Sequence, residues 1–333
     1  MNMKKFLVPA FIAASFMANA DEVKLSNLLT NTKFTADTRL NYISKDDDAG
    51  NKENSDLRLR FRLNFDSQVN EFASVKGRVR LTNDYDLGDN TVKGTSEKAS
   101  LFTDILYFDY KKGNHELLAG RYTPFYKISN FFLTDGEKEG VGYLGKFGNT
   151  DLRAGYLLTS NADNTEITDK SDIMYLQAVH SLKFENSVLK LEATGMAINQ
   201  PKGSTSDDSK GFMLGADYTQ NLSSVIECAQ VRGEYIQTDD DGENKGYSMG
   251  VVFGSKKIEK AGDWKAEVEY KEAGENNTIA PVKNRDQKNI KLWAQTYIAP
   301  KMDLEVEYNI REKLKGPKTV DYSELQVSIN HKF

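Results

Sequence analysis

The chain has 333 residues, a formal net charge of −5 and a single cysteine, Cys228. A negative net charge argues against a general nucleic-acid-binding protein, which is normally basic, and one cysteine excludes a disulfide framework within the chain. After residue 20, no apolar run reaches the length of about 20 residues that a transmembrane helix needs. The sequence therefore leaves a soluble protein or a membrane protein that crosses the bilayer with strands.

The first twenty residues have the organisation of a cleavable signal peptide. Lys4 and Lys5 form a basic start, and residues 6–17 form an apolar stretch that is too short to span a bilayer as a helix. Ala18-Asn19-Ala20 fits the small-x-small rule for cleavage. We therefore expect residues 1–20 to be removed on export.

Sixteen segments after the signal peptide alternate between apolar and polar residues, and the clearest is Asp56–Asp66. Its leucines and phenylalanines occupy every second position, with polar residues between them. Residues 34–42 and 73–81, on either side, repeat the pattern. Because side chains along a strand point alternately to opposite faces, this period of two predicts strands with one apolar and one polar face.

The connections between these segments alternate between long and short. Seven short connections separate eight long polar ones, which are predicted near residues 45–55, 84–98, 122–139, 160–172, 199–210, 238–245, 273–286 and 312–319. Outer-membrane barrels have long extracellular loops and short periplasmic turns. The sequence therefore predicts an all-β fold, a transmembrane, antiparallel, up-and-down β-barrel of 16 strands, with residues 21–333 as one domain.

Basic residues dominate the polar faces of the first three segments. A hairpin closed by residues 67–71 would pair Arg58 with Arg80, Arg60 with Arg78, and Arg62 with Lys76. Like charges opposite each other on adjacent strands are destabilising, and a dry core cannot hold them unpaired. A water-filled lumen can, so we expect a basic wall that lines a pore and consists of Arg39, Arg58, Arg60, Arg62, Lys76, Arg78, Arg80 and Arg121.

The third long connection, at about residues 122–139, contains the acidic residues Asp135, Glu137 and Glu139. If this loop folds into the lumen, its carboxylates face the arginines across a narrow aqueous gap. Opposed charges in a constriction create a transverse field that orients dipolar solutes. In the alternative interpretation the loop lies outside and the arginines line a wet wall. Arg121, at the end of the fifth segment, is placed to brace the loop.

The run Leu117–Phe125, with the sequence LLAGRYTPF, is followed by this loop and then by GVGYLGKF at residues 140–147. This arrangement resembles the region from strand 5 to the third loop of Gram-negative general porins. The terminal Phe333, the basic wall and the strand count are also similar, and the overall character is most similar to the major outer-membrane porins of epsilon-proteobacteria. The resemblance covers the chain after the signal peptide as a pattern and residues 117–147 as a motif.

The resemblance implies a homotrimeric, water-filled channel in the outer membrane of a Gram-negative bacterium, surrounded by lipid and passing small hydrophilic solutes. It also implies the loop-acid role for Asp135, Glu137 and Glu139, and the basic-wall role for the arginines named above. Two departures from the family pattern are His331, where an apolar residue is expected, and a third loop that is short for a general porin.

Pairs of glutamates lie two residues apart on polar faces further along the chain, at Glu267 and Glu269 and at Glu305 and Glu307. Such neighbours are about 6.6–6.8 Å apart, a separation that some acid–base pairs use. Basic residues on the same wall favour ion-pair ladders instead of catalysis, and these residues are Lys265, Lys271, Lys291 and Arg311. We therefore expect no enzymatic activity.

The acidic runs Asp46-Asp47-Asp48 and Asp239-Asp240-Asp241 could hold Ca²⁺ loosely. The second departs from the EF-hand pattern, with Gln237 at the first ligand position and Ser248 at the twelfth. Solvated loop charge is the simpler interpretation, and we expect no cofactor.

Two other interpretations of the chain stay open on the residues alone. A soluble β-sandwich would need an unusually large number of amphipathic strands. An outer-membrane barrel could instead act through its surface loops as an adhesin or a surface enzyme. Because no loop dominates the others, the sequence favours the channel.

Overall fold

The computed structural model describes residues 31–47, 51–86, 96–123, 138–158, 172–199, 208–222, 225–277, 286–315 and 322–333. These residues form sixteen strands: β1 (Thr32–Asp47), β2 (Asn51–Gln68), β3 (Ala73–Asp86), β4 (Ser96–Lys112), β5 (His115–Tyr122), β6 (Lys138–Phe147), β7 (Thr150–Leu158), β8 (Asp172–Lys183), β9 (Ser187–Asn199), β10 (Ser209–Asn221), β11 (Cys228–Thr238), β12 (Lys245–Gly254), β13 (Trp264–Ala273), β14 (Gln287–Ala299), β15 (Met302–Lys313) and β16 (Tyr322–Lys332).

Every strand pairs antiparallel with the next, and β1 pairs with β16 to close the sheet into a barrel. The closing register runs from Asp37 opposite Lys332 to Asp47 opposite Tyr322. The predicted fold, a closed up-and-down barrel of 16 strands, is confirmed. Among the residues that the structure describes, no helix is long and apolar enough to cross a bilayer.

The two faces of the sheet separate apolar from polar side chains. On β2, Leu59, Phe61 and Leu63 are 38–45% exposed, and the arginines between them point to the other side. On that side, polar side chains meet across an intervening strand. Arg39 on β1 lies 2.9 Å from Glu305 on β15, and β16 lies between these two strands. Side chains converge in this way on the concave side of a closed sheet, so the polar face is the interior of the barrel.

The connections fall at two ends of the barrel. Both ends of the described barrel, Thr32 and Phe333, lie at the same end as the seven predicted short turns. The first predicted long connection, at residues 45–55, is wrong in length, because β1 and β2 extend to residues 47 and 51 with an irregularity in register between Lys45 and Asp47. The periplasmic link at 222–227 has six residues, as many as the link at 239–244 on the other end, and the periplasmic link at 255–263 has nine.

The predicted pairing between the second and third strands is wrong, and the wrong pairs are Arg58–Arg80, Arg60–Arg78 and Arg62–Lys76. The observed partners are Arg62 with Arg80, Asn64 with Arg78, and Asp66 with Lys76. The cause is the turn, which occupies residues 69–72 and not 67–71. Asn70 Oδ1 accepts hydrogen bonds from the backbone N–H groups of Phe72 and Ala73, and this side-chain turn shifts the register.

A patch of buried apolar side chains lies on the inner face of the barrel. Its members include Leu157, Ile173, Ile198 and Ile236, which are 0–1% exposed and lie near the extracellular ends of β7, β8, β9 and β11. The inner apolar patch is defined by Leu118, Tyr122, Leu157, Ile173, Tyr175, Met196, Ile198, Met213, Ile236 and Ala273. Its members lie on β5, β7–β11 and β13, and none lies on the three strands that carry the arginines.

Candidate functional site

Arginines from three adjacent strands meet on the inner face of the barrel. Arg39 on β1 lies directly opposite Arg60 on β2, and Arg62 on β2 lies directly opposite Arg80 on β3. Unneutralised like charges in these positions would repel each other. We use the name basic wall for the inner-face residues Arg39, Arg58, Arg60, Arg62, Lys76, Arg78 and Arg80 of β1–β3.

Asp37 on β1 neutralises part of the basic wall. Its Oδ1 lies 2.8 Å from Arg62 Nε and 3.9 Å from Arg60 Nη2. One carboxylate thus serves two guanidiniums, and Arg60 has the weaker contact because the Coulomb attraction falls with distance. A cavity of about 460 Å³ adjoins these residues and is also lined by Arg39 and Glu305.

Asp104 on β4 serves a second pair of arginines. The register between β3 and β4 shifts at Arg78 and Val79, which lie opposite Ile105 and Thr103, so Asp104 is left over in a β-bulge. Its side chain is 1% exposed and lies 2.7 Å from Arg78 Nε and 3.3 Å from Arg80 Nη2. The bulge thus places a buried carboxylate between two arginines of the neighbouring strand.

The remaining residues of the basic wall also contact acids from the barrel strands. Lys76 lies 2.7 Å from Asp109 on β4 and 3.8 Å from Asp66 on β2. Arg39 Nη2 lies 2.9 Å from Glu305 Oε2, and its Nε donates a hydrogen bond to Asn330. Arg58, which is 45% exposed, lies 3.5 Å from Asp56 on its own strand.

Sequence reasoning assigned none of these strand acids to the basic wall, among them Asp37, Asp104, Asp109 and Glu305. Asp37 was detectable, because it precedes Arg39 by two residues and therefore shares its face. Asp104 was not, because the bulge removes it from the alternation. Glu305 was assigned to a polar face, but its partner Arg39 is 266 residues away in the sequence. The strands therefore supply counter-charges that sequence reasoning placed in the third loop.

Arg121 and Glu139 lie apart from the basic wall. They are cross-strand partners on β5 and β6, with 3.8 Å between Arg121 Nη1 and Glu139 Oε1. Their neighbours in register are Leu106 and Leu158, which belong to the apolar outer face. The prediction that Arg121 lines the basic wall and that Glu139 faces it is therefore corrected. The ion pair joins the two strands that flank the third loop, and the bracing of that loop by Arg121 stays a prediction.

The other two predicted loop acids, Asp135 and Glu137, lie outside the described residues. The same holds for the predicted signal peptide, residues 1–20, and for Asp48 of the first acidic run. In the second acidic run, Asp239 accepts hydrogen bonds from the Lys210 backbone N–H and the Ser209 hydroxyl. Within the described ranges, no group of three or more His, Cys, Asp or Glu side chains could hold a metal ion.

A second charged cluster lies on the inner faces of β11, β13 and β14. Glu269, which is 0% exposed, lies 3.0 Å from Lys271, 3.0 Å from Lys291 and 3.4 Å from Arg232. Glu267 contacts Arg232 and lies 3.4 Å from Lys291. The expectation that Glu267 and Glu269 form ion-pair ladders is confirmed for Lys271 and Lys291, and Arg232 was missed.

These features describe a closed barrel with an apolar outside and a charged inside, and comparisons with known proteins agree. Among solved structures, the fold resembles Pseudomonas putida OprB with a TM-score of 0.65 and 10% identity, covering 92% of this chain and 96% of that chain. It also resembles Salmonella typhi OmpF with a TM-score of 0.60 and 12% identity, covering 91% of this chain and 97% of that chain. The comparison with Pseudomonas aeruginosa OprD gives a TM-score of 0.56 and 12% identity, covering 91% of this chain and 95% of that chain.

No curated protein sequence matches the chain. The family model for Gram-negative porins matches residues 7–333, nearly the whole chain. That match, together with the closed barrel of sixteen strands, identifies the molecule as an outer-membrane channel for solute diffusion. The chain belongs to the Gram-negative porin family.

Proposed function

We propose that this porin passes small hydrophilic solutes passively, without a cofactor or a chemical step, and that its basic wall sets the ion preference of the pore. The observation that carries the proposal is the sharing of a carboxylate. Among the residues that the structure describes, the guanidiniums of Arg60 and Arg62 have one close carboxylate between them, that of Asp37. The wall therefore keeps a positive excess at this level.

This excess acts on solutes because water fills the space next to it. Charged rings and walls select ions by raising the local concentration of the opposite sign. Arg60 contributes more than Arg62 to the attraction of an anion, because it lies 3.9 Å from Asp37 whereas Arg62 lies 2.8 Å away. Replacement of wall arginines with alanine shifts the preference toward cations.

We further propose that the third loop enters the lumen and that Asp135 and Glu137 face the basic wall. The inner apolar patch supports this, because it is buried although it lies on the inner face of the barrel. Tyr122 and Lys138, the residues from which the loop leaves and to which it returns, are 1% and 2% exposed. If the loop lies in the lumen, the double variant D135N/E137Q is expected to shift the ion selectivity of the pore toward anions. Unchanged ion selectivity would contradict this position of the loop.

Liposome swelling with sugars of graded size tests the channel itself. Reconstituted protein admits small sugars at rates that fall with sugar size, because diffusion through a water-filled pore depends on solute size. A plugged barrel that acts through its loops, as an adhesin or a surface enzyme, admits no sugar. The described strands give no observation that favours this second function.

We also propose that the porin works as a homotrimer, as its family resemblance implies. Outer-face residues such as Leu57, Leu59 and Phe61 can pack against a second subunit or against lipid. Native mass spectrometry from mild detergent measures the assembly directly. A trimer mass supports the proposal, and a monomer at all protein concentrations would contradict it.

A further inference from the structure

A groove runs across the outer face of the barrel from β4 to β8 and has a volume of about 370 Å³. Two adjacent rows of cross-strand partners form it. The lower row consists of Tyr110, Leu117, Tyr143 and Ala154. The upper row consists of Phe108, Ala119, Val141, Tyr156 and Met174. Alanines form the floor and aromatic rings form the rim, so the groove has no polar floor.

The groove rises from the periplasmic side of β4 toward the extracellular side of β8. Tyr110 lies two residues before the periplasmic end of β4, whereas Met174 lies two residues after the extracellular start of β8. The rise follows from the tilt of the strands, because a row perpendicular to tilted strands climbs around the barrel. One end of the groove therefore opens at the periplasmic membrane boundary, and the other lies near the extracellular end of β8.

The low end of the groove has a basic, hydrogen-bonding rim. Lys112 and His115 are exposed cross-strand partners in the next row below the groove. His115 Nδ1 lies 2.8 Å from the hydroxyl of Tyr143, which lines the groove. If Tyr143 donates that hydrogen bond, His115 Nε2 carries the proton and donates outward. In the part of the chain that the structure describes, Lys112 contacts the Phe72 ring and has no carboxylate partner.

We propose that this groove binds one phospholipid of the periplasmic leaflet, with its phosphate at Lys112 and His115 and one acyl chain along the groove. The groove faces hydrocarbon, and its basic rim lies at the level of lipid headgroups. A phosphate complements an ammonium and an imidazole N–H, and an acyl chain complements an apolar trough that begins at the same point.

Native mass spectrometry of the whole protein tests the site, with dimyristoyl phosphatidylglycerol titrated into the delipidated, detergent-folded porin. Wild type retains one lipid per chain. Lys112→Gln weakens retention roughly fivefold, the effect of about one basic residue at an anionic lipid surface. Ala154→Phe, which fills the floor of the groove, abolishes it.

Two matched controls alter equivalent side chains elsewhere. Lys256→Gln removes an exposed lysine from the periplasmic turn between β12 and β13, and Ala216→Phe enlarges an exposed outer-face alanine on β10. Both retain the lipid as wild type does. Equal retention by all five proteins, or no retention by wild type, overturns the proposal. Dissociation of an oligomer by Ala154→Phe without loss of lipid also overturns it, because the groove would then be a subunit contact.

Discussion

Single side chains determine how much charge the pore presents. Asp104 is buried in its bulge and contacts Arg78 and Arg80, so one carboxylate offsets two guanidiniums. Asp66, in contrast, is 49% exposed and lies 3.8 Å from Lys76. Exposed pairs contribute about 0–1 kcal/mol, whereas loss of one partner from a buried pair costs several kcal/mol. Asp104 is therefore the acid on which the wall depends most.

Asp104→Asn is expected to lower the free energy of unfolding by about 1–3 kcal/mol, since Arg80 is partly exposed and solvent screens part of the loss. Thermal unfolding followed by circular dichroism in detergent measures the change. Asp66→Asn is the matched control and is expected to have little effect. Equal destabilisation by the two variants would contradict the role assigned to the buried carboxylate.

Asp263, in the turn before β13, gives the stability a dependence on pH. Backbone N–H groups of Glu259 and Lys260 donate hydrogen bonds to its carboxylate at 2.9 Å and hold its pKa below the usual value of 3.8. A lowered folded pKa contributes stability that is present above about pH 4 and is lost as the pH falls through the folded pKa. Asp263→Asn is expected to flatten the fall of the melting temperature below pH 4. An unchanged pH profile would show that the turn does not need the charge.

The sequence predicted the position of a side chain correctly where alternation alone decides which face of its strand the side chain occupies. The arginines of β2 occupy every second position, so their common face was readable. Asp104 breaks the alternation, and the partner of Arg39 comes from β15 through barrel closure. Sequence patterns do not encode a bulge or a contact between distant strands, so the strand acids were missed.

At the scale of elements, a strand with small inward residues lets its neighbours contact each other. β12 presents Gly246, Ser248 and Gly250 to the interior, and a Cβ added at Gly250 would lie 3.0 Å from Arg232 Nε. The guanidinium of Arg232 on β11 therefore passes over Gly250 to reach the glutamates of β13. The charged cluster therefore links β11, β13 and β14, and β12, which lies between β11 and β13, contributes no charge to it.

Gly250→Leu is expected to displace Arg232 and to lower the free energy of unfolding by about 1–3 kcal/mol, as overpacking does in a filled site. Gly195→Leu is the matched control, because nothing lies within 4 Å of a Cβ at this position on β9. Chemical unfolding in detergent compares the two. Equal midpoints for both variants would contradict the path of Arg232 across β12.

Sequence reasoning predicted the elements better than their registers. All sixteen strands follow from alternation, because each needs one face toward hydrocarbon and one toward water. The register of β2 with β3 did not follow, because it depends on the hydrogen bonds of Asn70 in the turn. The length of the first connection failed for a similar reason, since β1 and β2 continue through a polar stretch that looks like a loop.

At the scale of the whole molecule, barrel closure separates two environments. Large apolar side chains cover the outside, and arginines, lysines and carboxylates cover the inside. A dry core would not hold so many charges, because buried charges need close partners. The barrel tolerates them because water reaches them, and the same water is the path for solutes.

The zero-current potential across a planar bilayer with a KCl gradient tests this account most directly. The triple variant R58A/R60A/R78A is expected to form open channels whose potential shifts toward cation preference relative to wild type. The control variant K256A/K257A/K260A removes three positive charges from one periplasmic turn and is expected to keep the wild-type potential. A triple wall variant with wild-type potential would show that the arginines do not line the permeation path, and the account would be contradicted.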